Sequence, residues 1–344
     1  MIKVVTNLLR FLVISSISSV ILVVVHRSPC SYHPNNLPAA HKEEPAQLVA
    51  SSNGTTHQVA AASSSDSDDD KLSELLRRAA TEDNKTVIMA ITNEAWTAPG
   101  SLTDRFLESF RTGVKTEALL KHLLIVTVDA KARERCARAH PLCYALDVGG
   151  ADFTSEQRYM AEDYLDMMWR RVRFQGRVLE LGYSFLLTDV DIVWFRNPLL
   201  RVPVAADMAM ACDRFRGDNP YDLDKGANAG LVYARASART AEFYRVWYEA
   251  RTLFPGNKTQ DVFEKVKHQL TARLGVTLQF VDTAYFGTFC DRQRKEKDFN
   301  KLCTFHANCI LGLKNKVHKL RAVLNEWNQF KAAASNNGTT LITY

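Results

Sequence analysis

The chain has 344 residues, 46% hydrophobic and 24% charged, a composition that excludes a wholly disordered, collagenous or polytopic membrane protein. Residues 1–80 hold seven Lys/Arg and seven Asp/Glu, so the formal net charge of +6 belongs wholly to the remainder. That excess is modest, and no Lys/Arg run interleaved with aromatics offers a nucleic-acid surface, so nucleic acid is set aside as a partner while anionic small molecules stay open.

Phe11 to Val25 carries no charge, and the apolar run reaches back to Leu8 if Arg10 snorkels to the interface, giving about 15–18 residues. His26-Arg27-Ser28-Pro29-Cys30 follows and offers no small-x-small cleavage site, so the segment reads as an uncleaved signal anchor. Lys3 and Arg10 before it, against Arg27 after it, place the N-terminus in the cytosol by a narrow margin. Four Asn-x-Ser/Thr sequons, at Asn53, Asn84, Asn257 and Asn337, and all seven cysteines lie downstream, which suits an oxidising lumen. A short span also suits the thinner early-secretory membranes. The expectation is a single-pass type II protein of the Golgi membrane. Its parts are a cytosolic tail and anchor over 1–27 (span about 8–25), a flexible lumenal stem over 28–80, a folded domain over 81–330 and a C-terminal tail over 331–344. The stem reading rests on Ser28 to about Asp70, rich in Ser, Ala, Asn, Pro and Asp and nearly free of large apolar residues.

Lys71 to Ala80 reads as a short helix leading into the domain. Compact apolar runs then alternate with amphipathic stretches. The predicted order is strand 87–91, helix 102–112, strand 122–128, helix 130–139, a short strand near 144–146, a long helix over about 155–181, and strands 184–187 and 192–195. Further strands are predicted at 207–212, 230–234 and 276–281, with helices at 240–253 and 261–274. Buried apolar strands separated by helices argue for a doubly wound α/β fold, a mainly parallel sheet covered on both faces. Ligands of such folds bind beyond the carboxyl ends of the strands.

The sharpest feature is Tyr183-Ser-Phe-Leu-Leu-Thr-Asp189-Val-Asp191-Ile-Val-Trp-Phe195, in which two carboxylates emerge where an apolar strand ends. Their i, i+2 spacing lets both reach one hard cation if the backbone bends there, and Mg²⁺ or Mn²⁺ favours one or two carboxylates together with phosphate oxygens and water. A cation so held would bridge a diphosphate and neutralise the charge of a departing group. The plain alternative is an acidic pair that merely ends a strand at the surface. The same letters also mimic the nucleophile loop of haloacid dehalogenase-type phosphatases, with Gly217-Asp218-Asn-Pro-Tyr-Asp222 as a later acidic motif. Against that reading, too few residues separate Asp191 from Asp218, and the supposed nucleophile lies several strands into the domain.

Asn93-Glu-Ala-Trp-Thr-Ala-Pro-Gly-Ser101, Phe106-Leu-Glu-Ser-Phe110, Asp163-Tyr-Leu-Asp-Met-Met-Trp-Arg-Arg171, Thr188-Asp-Val-Asp-Ile-Val-Trp-Phe-Arg-Asn-Pro198, Thr283-Ala-Tyr-Phe-Gly287 and Phe305-His-Ala-Asn-Cys309 stand in that order along the chain. This set, over about residues 84–330, resembles the plant nucleotide-diphospho-sugar transferases of glycosyltransferase family 77. The resemblance implies a GT-A (Rossmann-like) fold, a divalent cation that is usually manganese with magnesium as the alternative, a UDP-sugar donor, and transfer with retention of anomeric configuration. It makes xylose, arabinose and galactose the candidate sugars, and a cell-wall polysaccharide or glycoprotein glycan the acceptor. A rival reading is a catalytically silent member that binds a nucleotide sugar or scaffolds a Golgi transferase complex.

With residues and resemblance together, Asp191 is the first metal ligand, and Asp189 shares the metal or meets the donor ribose. His306 is a third ligand from the C-terminal segment or else a hydrogen-bonded core histidine. Thr92 and Asn93 end the first strand, where base and ribose would sit, or form a plain turn. Asn228-Ala-Gly230 departs from the family's more usual Asn-Gly-Gly and leaves an extra methyl near the expected sugar pocket. Gln260-Asp261 matches the family's Gln-Asp pair. Asp261 is then a catalytic-site residue bonding donor hydroxyls, or an ordinary acid near a helix N-terminus. Lys314 and Lys316 bind the diphosphate or form a solvated basic face, the latter being the preferred reading.

The five tryptophans lie mostly in amphipathic or strand patterns and are assigned to core packing. Cys136 with Cys143, and Cys290 with Cys303, are the expected local disulfide pairings, since both join loop-like segments.

Overall fold

The computed structural model describes residues 59–148, 162–203, 205–294, 296–338 and 341, with side chains described from Asp68 in the first helix and from Leu165 in the helix that begins at Glu162. The expected anchor, most of the expected stem and the sequon at Asn53 lie outside the described residues. Among the described residues no helix is long and apolar enough to cross a membrane.

The chain enters through α1 (Val59–Ala79) and then alternates strand and helix: β1 (Thr86–Thr92), the short α2 (Glu94–Thr97), α3 (Leu102–Thr112), β2 (Leu123–Thr127), α4 (Ala130–Ala139), β3 (Cys143–Ala145), α5 (Glu162–Glu180) and β4 (Ser184–Thr188). There follow β5 (Ile192–Trp194), β6 (Met208–Cys212), β7 (Ala227–Ala234), α6 (Ala238–Glu249), α7 (Thr259–Leu274), β8 (Leu278–Phe280), β9 (Phe286–Thr288), β10 (Thr304–His306) and α8 (Leu313–Asn336). Helices α3 and α4 occupy the expected spans residue for residue. The α4 start is fixed by Asp129, whose side chain accepts from the Ala132 N–H.

Seven strands form one sheet in the order β3-β2-β1-β4-β7-β6-β8. β1 is parallel to β2 and β4, β2 to β3, and β6 to β8, whereas β7 runs antiparallel to β4 and β6. The sheet is therefore mainly parallel, as expected. β1 (TVIMAIT) and β4 (SFLLT) are buried along their whole length. An unbroken apolar run is what a strand covered on both faces requires. Because β2 and β3 lie on one side of β1 and β4 on the other, the carboxyl ends of β1 and β4 flank a topological switch point, where doubly wound sheets open a crevice.

Against one face lies an aromatic core in which Phe110 stacks on Trp194 with ring centroids 4.3 Å apart, and Phe195 packs against Trp327 of α8 at 5.0 Å. Trp194, Trp247 and Trp327 are fully buried, in line with the core-packing expectation.

Three expectations need correction. Within the segment assigned to a flexible stem, the helix expected over 71–80 is present with Leu72, Leu76 and Ala79 buried, but as α1 it starts already at Val59. Its acidic run reads as disordered by composition, but Asp69 pairs with Arg177 of α5 at 2.6 Å and Asp68 accepts from the Tyr144 hydroxyl at 2.8 Å. At the other end, α8 continues to Asn336, past the boundary placed at 330. Lastly, Cys290 pairs with Cys309, not with Cys303, while Cys136–Cys143 forms as expected. Cys303 leads into β10 with its side chain in the core, and burial pushes its thiol up to about 11. Cys309 adopts a left-handed backbone (φ 57°) that turns the chain back toward Cys290.

Candidate active site

Asp189 leaves β4 at the switch point. Its N–H donates to the Gly230 carbonyl at 2.7 Å, and its own carbonyl accepts from the Ile192 N–H at 3.1 Å, closing a tight turn across Val190. Val190 is buried, so the turn spends its apolar residue on the core and directs the flanking carboxylates together. β5 then pairs antiparallel with β10, placing His306 opposite Ile192, and the Ala307 N–H donates to the Asp191 carbonyl at 3.0 Å. His306 Nε2 consequently stands 3.1 Å from Asp191 Oδ1 and 3.9 Å from Asp189 Oδ2. One ligand atom from each of Asp189, Asp191 and His306 lies within 4.8 Å of the others. Two carboxylates and an imidazole form a donor set that a manganese or magnesium ion accepts, with Asp189 leaving one side partly open.

Each carboxylate has a cationic partner. Arg171 of α5 holds Asp189 Oδ1 at 2.7 Å and also donates to the Ala229 carbonyl at 3.1 Å. Lys316 of α8 places Nζ 2.5 Å from Asp191 Oδ2. Burial opposes ionisation of Asp191, but His306 and Lys316 together outweigh it and hold the carboxyl well below the usual carboxylate range. Lys314 is exposed, so of the two lysines expected on a solvated face only Lys314 is there.

The Asn-Ala-Gly segment lies on β7 where its register with β6 shifts between Met210 and Ala211. Such a bulge re-aims the chain beside a site. A Cβ built on Gly230 would stand 2.4 Å from His306 Cε1 and 2.8 Å from Asp189 Oδ2, so only glycine permits the cluster to close. Asn228 is committed internally, its Oδ1 accepting from the Gly230 N–H and its Nδ2 donating to Asp213 Oδ1, each within 2.9 Å. Asp213 Oδ1 also accepts from Asn308 Nδ2 at 2.8 Å, and Asn308 in turn accepts from the Thr288 hydroxyl. This network, together with the Cys290–Cys309 disulfide, ties the His306 segment to β6 and β7.

Gln260 reaches the same segment, its Oε1 accepting from the Ala229 N–H at 3.2 Å. Asp261 does not join the cluster in this arrangement: it sits in the first turn of α7, partly exposed, 3.5 Å from Lys258. At the end of β1, the Thr92 hydroxyl meets that of Thr103 at 3.0 Å, and Asn93 caps α2 by accepting from the Trp96 N–H. Both side chains have structural work, while beside them the carboxyl ends of β2 and β3 border a cavity of about 540 Å³ lined in part by Asp129, Arg133 and Asp147. Asp218, which the phosphatase reading invokes, is exposed in the loop between β6 and β7.

Arg171, Asp213, Asn308 and Lys316 are the site residues to which the sequence assigned no role or the wrong one. Asp213 carried a usable signal, since it too directly follows a buried strand, MAMAC.

The family model for nucleotide-diphospho-sugar transferases matches residues 118–320, which include every member of the Asp189–Asp191–His306 cluster. The chain belongs to that family. This nucleotide-diphospho-sugar transferase is 40% identical over 268 residues to an uncharacterized protein of Arabidopsis thaliana, covering 77% of this chain and 70% of the other. It is 21% identical over 165 residues to the Arabidopsis thaliana UDP-D-xylose:L-fucose alpha-1,3-D-xylosyltransferase 3, covering 45% and 43% of the two chains. Among solved structures, a glycosyltransferase involved in glycosylation of the major capsid of PBCV-1 aligns at 12% identity and a TM-score of 0.41, over 69% of this chain and 99% of that one.

Proposed function

We propose that this glycosyltransferase is metal-dependent and moves a pentose or galactose from a UDP-sugar to a cell-wall or glycoprotein glycan with retention of configuration. The observation that carries the metal dependence is the convergence of Asp189, Asp191 and His306 at the switch point. A divalent cation bound there supplies Lewis-acid neutralisation of the diphosphate leaving group. Arg171 fixes the rotamer of Asp189, the β5–β10 register fixes His306 against Asp191, and Gly230 leaves room for both. The cavity at the carboxyl ends of β2 and β3 is the volume we assign to the nucleoside. Support for the donor class is the resemblance of the motifs and the similarity to a xylosyltransferase.

The test is thermal unfolding of the full-length protein with a panel of UDP-sugars, each with and without manganese. A ligand that binds only the native state raises the midpoint, by the equivalent of about 2.7 kcal/mol at a hundredfold excess over Kd. A manganese-dependent shift with one donor is the expected outcome. No shift with any donor, in protein shown to be folded, moves the reading to a silent scaffold of a transferase complex.

The uncharged stretch at 11–25 and the downstream sequons support a Golgi type II orientation with the catalytic domain in the lumen. Protease protection in intact microsomes checks this: the domain is expected to survive until detergent is added, and cleavage without detergent overturns the orientation.

A further inference from the structure

Asp191 has two carboxylate oxygens, and the two partners on them differ in kind. His306 reaches Oδ1 from β10, where strand pairing with β5 fixes its backbone. Lys316 reaches Oδ2 from a separate element, the first turn of α8, where its own N–H is bonded to the Gly312 carbonyl at 3.1 Å. The Lys316 side chain is 27% exposed, while that of Asp191 is 7% exposed. An ammonium on a flexible four-carbon stem can therefore leave toward solvent without any movement of the backbone, which neither Asp191 nor His306 can do. The body of α8 is meanwhile anchored by Leu320, Val323, Leu324 and Trp327, all buried.

We infer that Lys316 is the resident counter-ion of Asp191 and competes with the divalent cation for that carboxylate, so that metal enters only as Lys316 leaves. This rests on reading the Asp189–Asp191–His306 group as the metal site. A buried carboxylate left without a cation is costly, and Lys316 removes that cost in the metal-free protein. Once a dication stands among the same oxygens, an ammonium 2.5 Å from one of them is repelled. The consequence is that manganese binds the protein alone only weakly. An anion that draws the released ammonium away from Asp191 strengthens metal binding, and the diphosphate of the donor is such a group. Lys316 thereby couples metal loading to donor arrival. It is a positioning residue, acting through Asp191.

The experiment is a manganese titration of the full-length protein without nucleotide, following the spectrum of free aqueous Mn²⁺ by electron paramagnetic resonance. Wild type, Lys316→Gln and Asp191→Asn are compared, with thermal unfolding as a check on folding. Lys316→Gln is expected to bind manganese about tenfold more tightly than wild type, the equivalent of about 1.4 kcal/mol of relieved competition for Asp191. Asp191→Asn is expected to lose the binding. In a second arm, manganese is expected to improve UDP affinity by a smaller factor in Lys316→Gln than in wild type. Equal or weaker manganese binding by folded Lys316→Gln overturns the inference while leaving the metal site standing. Equal binding by wild type and Asp191→Asn, or no binding by any of the three, overturns the metal site and the inference with it. Should Lys316→Gln unfold, Lys316→Met replaces it under the same criteria.

Discussion

Gly230 is the residue on which the cluster's geometry turns. Its Cα faces His306 and Asp189 so closely that one methyl group would overlap both. The neighbours able to yield are those two side chains, because Gly230 itself is pinned through its N–H to Asn228 and through its carbonyl to Asp189. Gly230→Ala is therefore expected to separate His306 from Asp189 and weaken manganese binding by about tenfold or more, with a much smaller effect on the unfolding midpoint. Metal titration beside thermal unfolding checks this. Intact metal binding in the variant would show that the cation is held elsewhere.

The same scale shows what single letters disclose. The convergence of Asp189 and Asp191 was legible because the two carboxylates follow the buried strand Ser184–Thr188 at i, i+2 spacing. Asn93 and Asn228 were not, because an asparagine that caps a helix or bridges to Asp213 is written identically to one that would hold a ribose. Lys316 looked like one of several surface lysines, and only the approach of α8 to the β4–β5 turn reveals its carboxylate partner.

Among the elements, the long periodic ones were readable, and so were the three-residue strands β3, β5 and β8, whereas β9 and β10 were not. Helices α3 and α4 announced themselves by spacing, whereas β9 and β10 are too short to show a period and exist because β10 pairs with β5, and β9 with β10, in a separate three-stranded sheet. That small sheet is nevertheless what delivers His306. The misread disulfide has the same origin, for Cys303 becomes unavailable once the strand it leads into turns its side chain to the core. The part of helix α1 from Lys71 on was legible, and only its earlier start at Val59 was hidden by the acidic composition around it. Its Leu72 and Leu76 are almost completely buried, and full burial of two leucines contributes about 3–6 kcal/mol. That is a large share of the roughly 5–15 kcal/mol that holds a typical domain together. Removing residues 59–80 should thus lower the unfolding midpoint sharply or leave an aggregating product. Denaturant unfolding of a chain beginning at 59 against one beginning at 81 measures the difference, and equal midpoints would show α1 to be dispensable.

For the molecule as a whole, pH dependence separates the site from the scaffold. Asp191 is held below the usual carboxylate range, so its contribution to stability is present above the unfolded-state value of about 3.9 and disappears only as pH falls through the lower folded value. His140 behaves differently. It ends α4, buried, with Nε2 2.6 Å from the Leu123 carbonyl. Burial lowers its pKa, the carbonyl opposes this, and the nearby charge of Arg111 lowers it further. The folded state consequently resists protonation of this ring. A group depressed in this way contributes fully above its unfolded value of about 6.5, and the contribution falls as acidification proceeds toward the folded value. One such proton changes stability by up to about 1.4 kcal/mol per pH unit inside that window. Stability of the wild type is expected to decline between pH 7.5 and 5.5, and His140→Gln, which keeps an N–H donor without a titrating ring, is expected to flatten the decline. Guanidinium midpoints at several pH values decide the matter. A slope unchanged in the variant would assign the acid sensitivity to another group, whereas a flattened slope with unchanged manganese affinity would place it in the scaffold, apart from the Asp191 site.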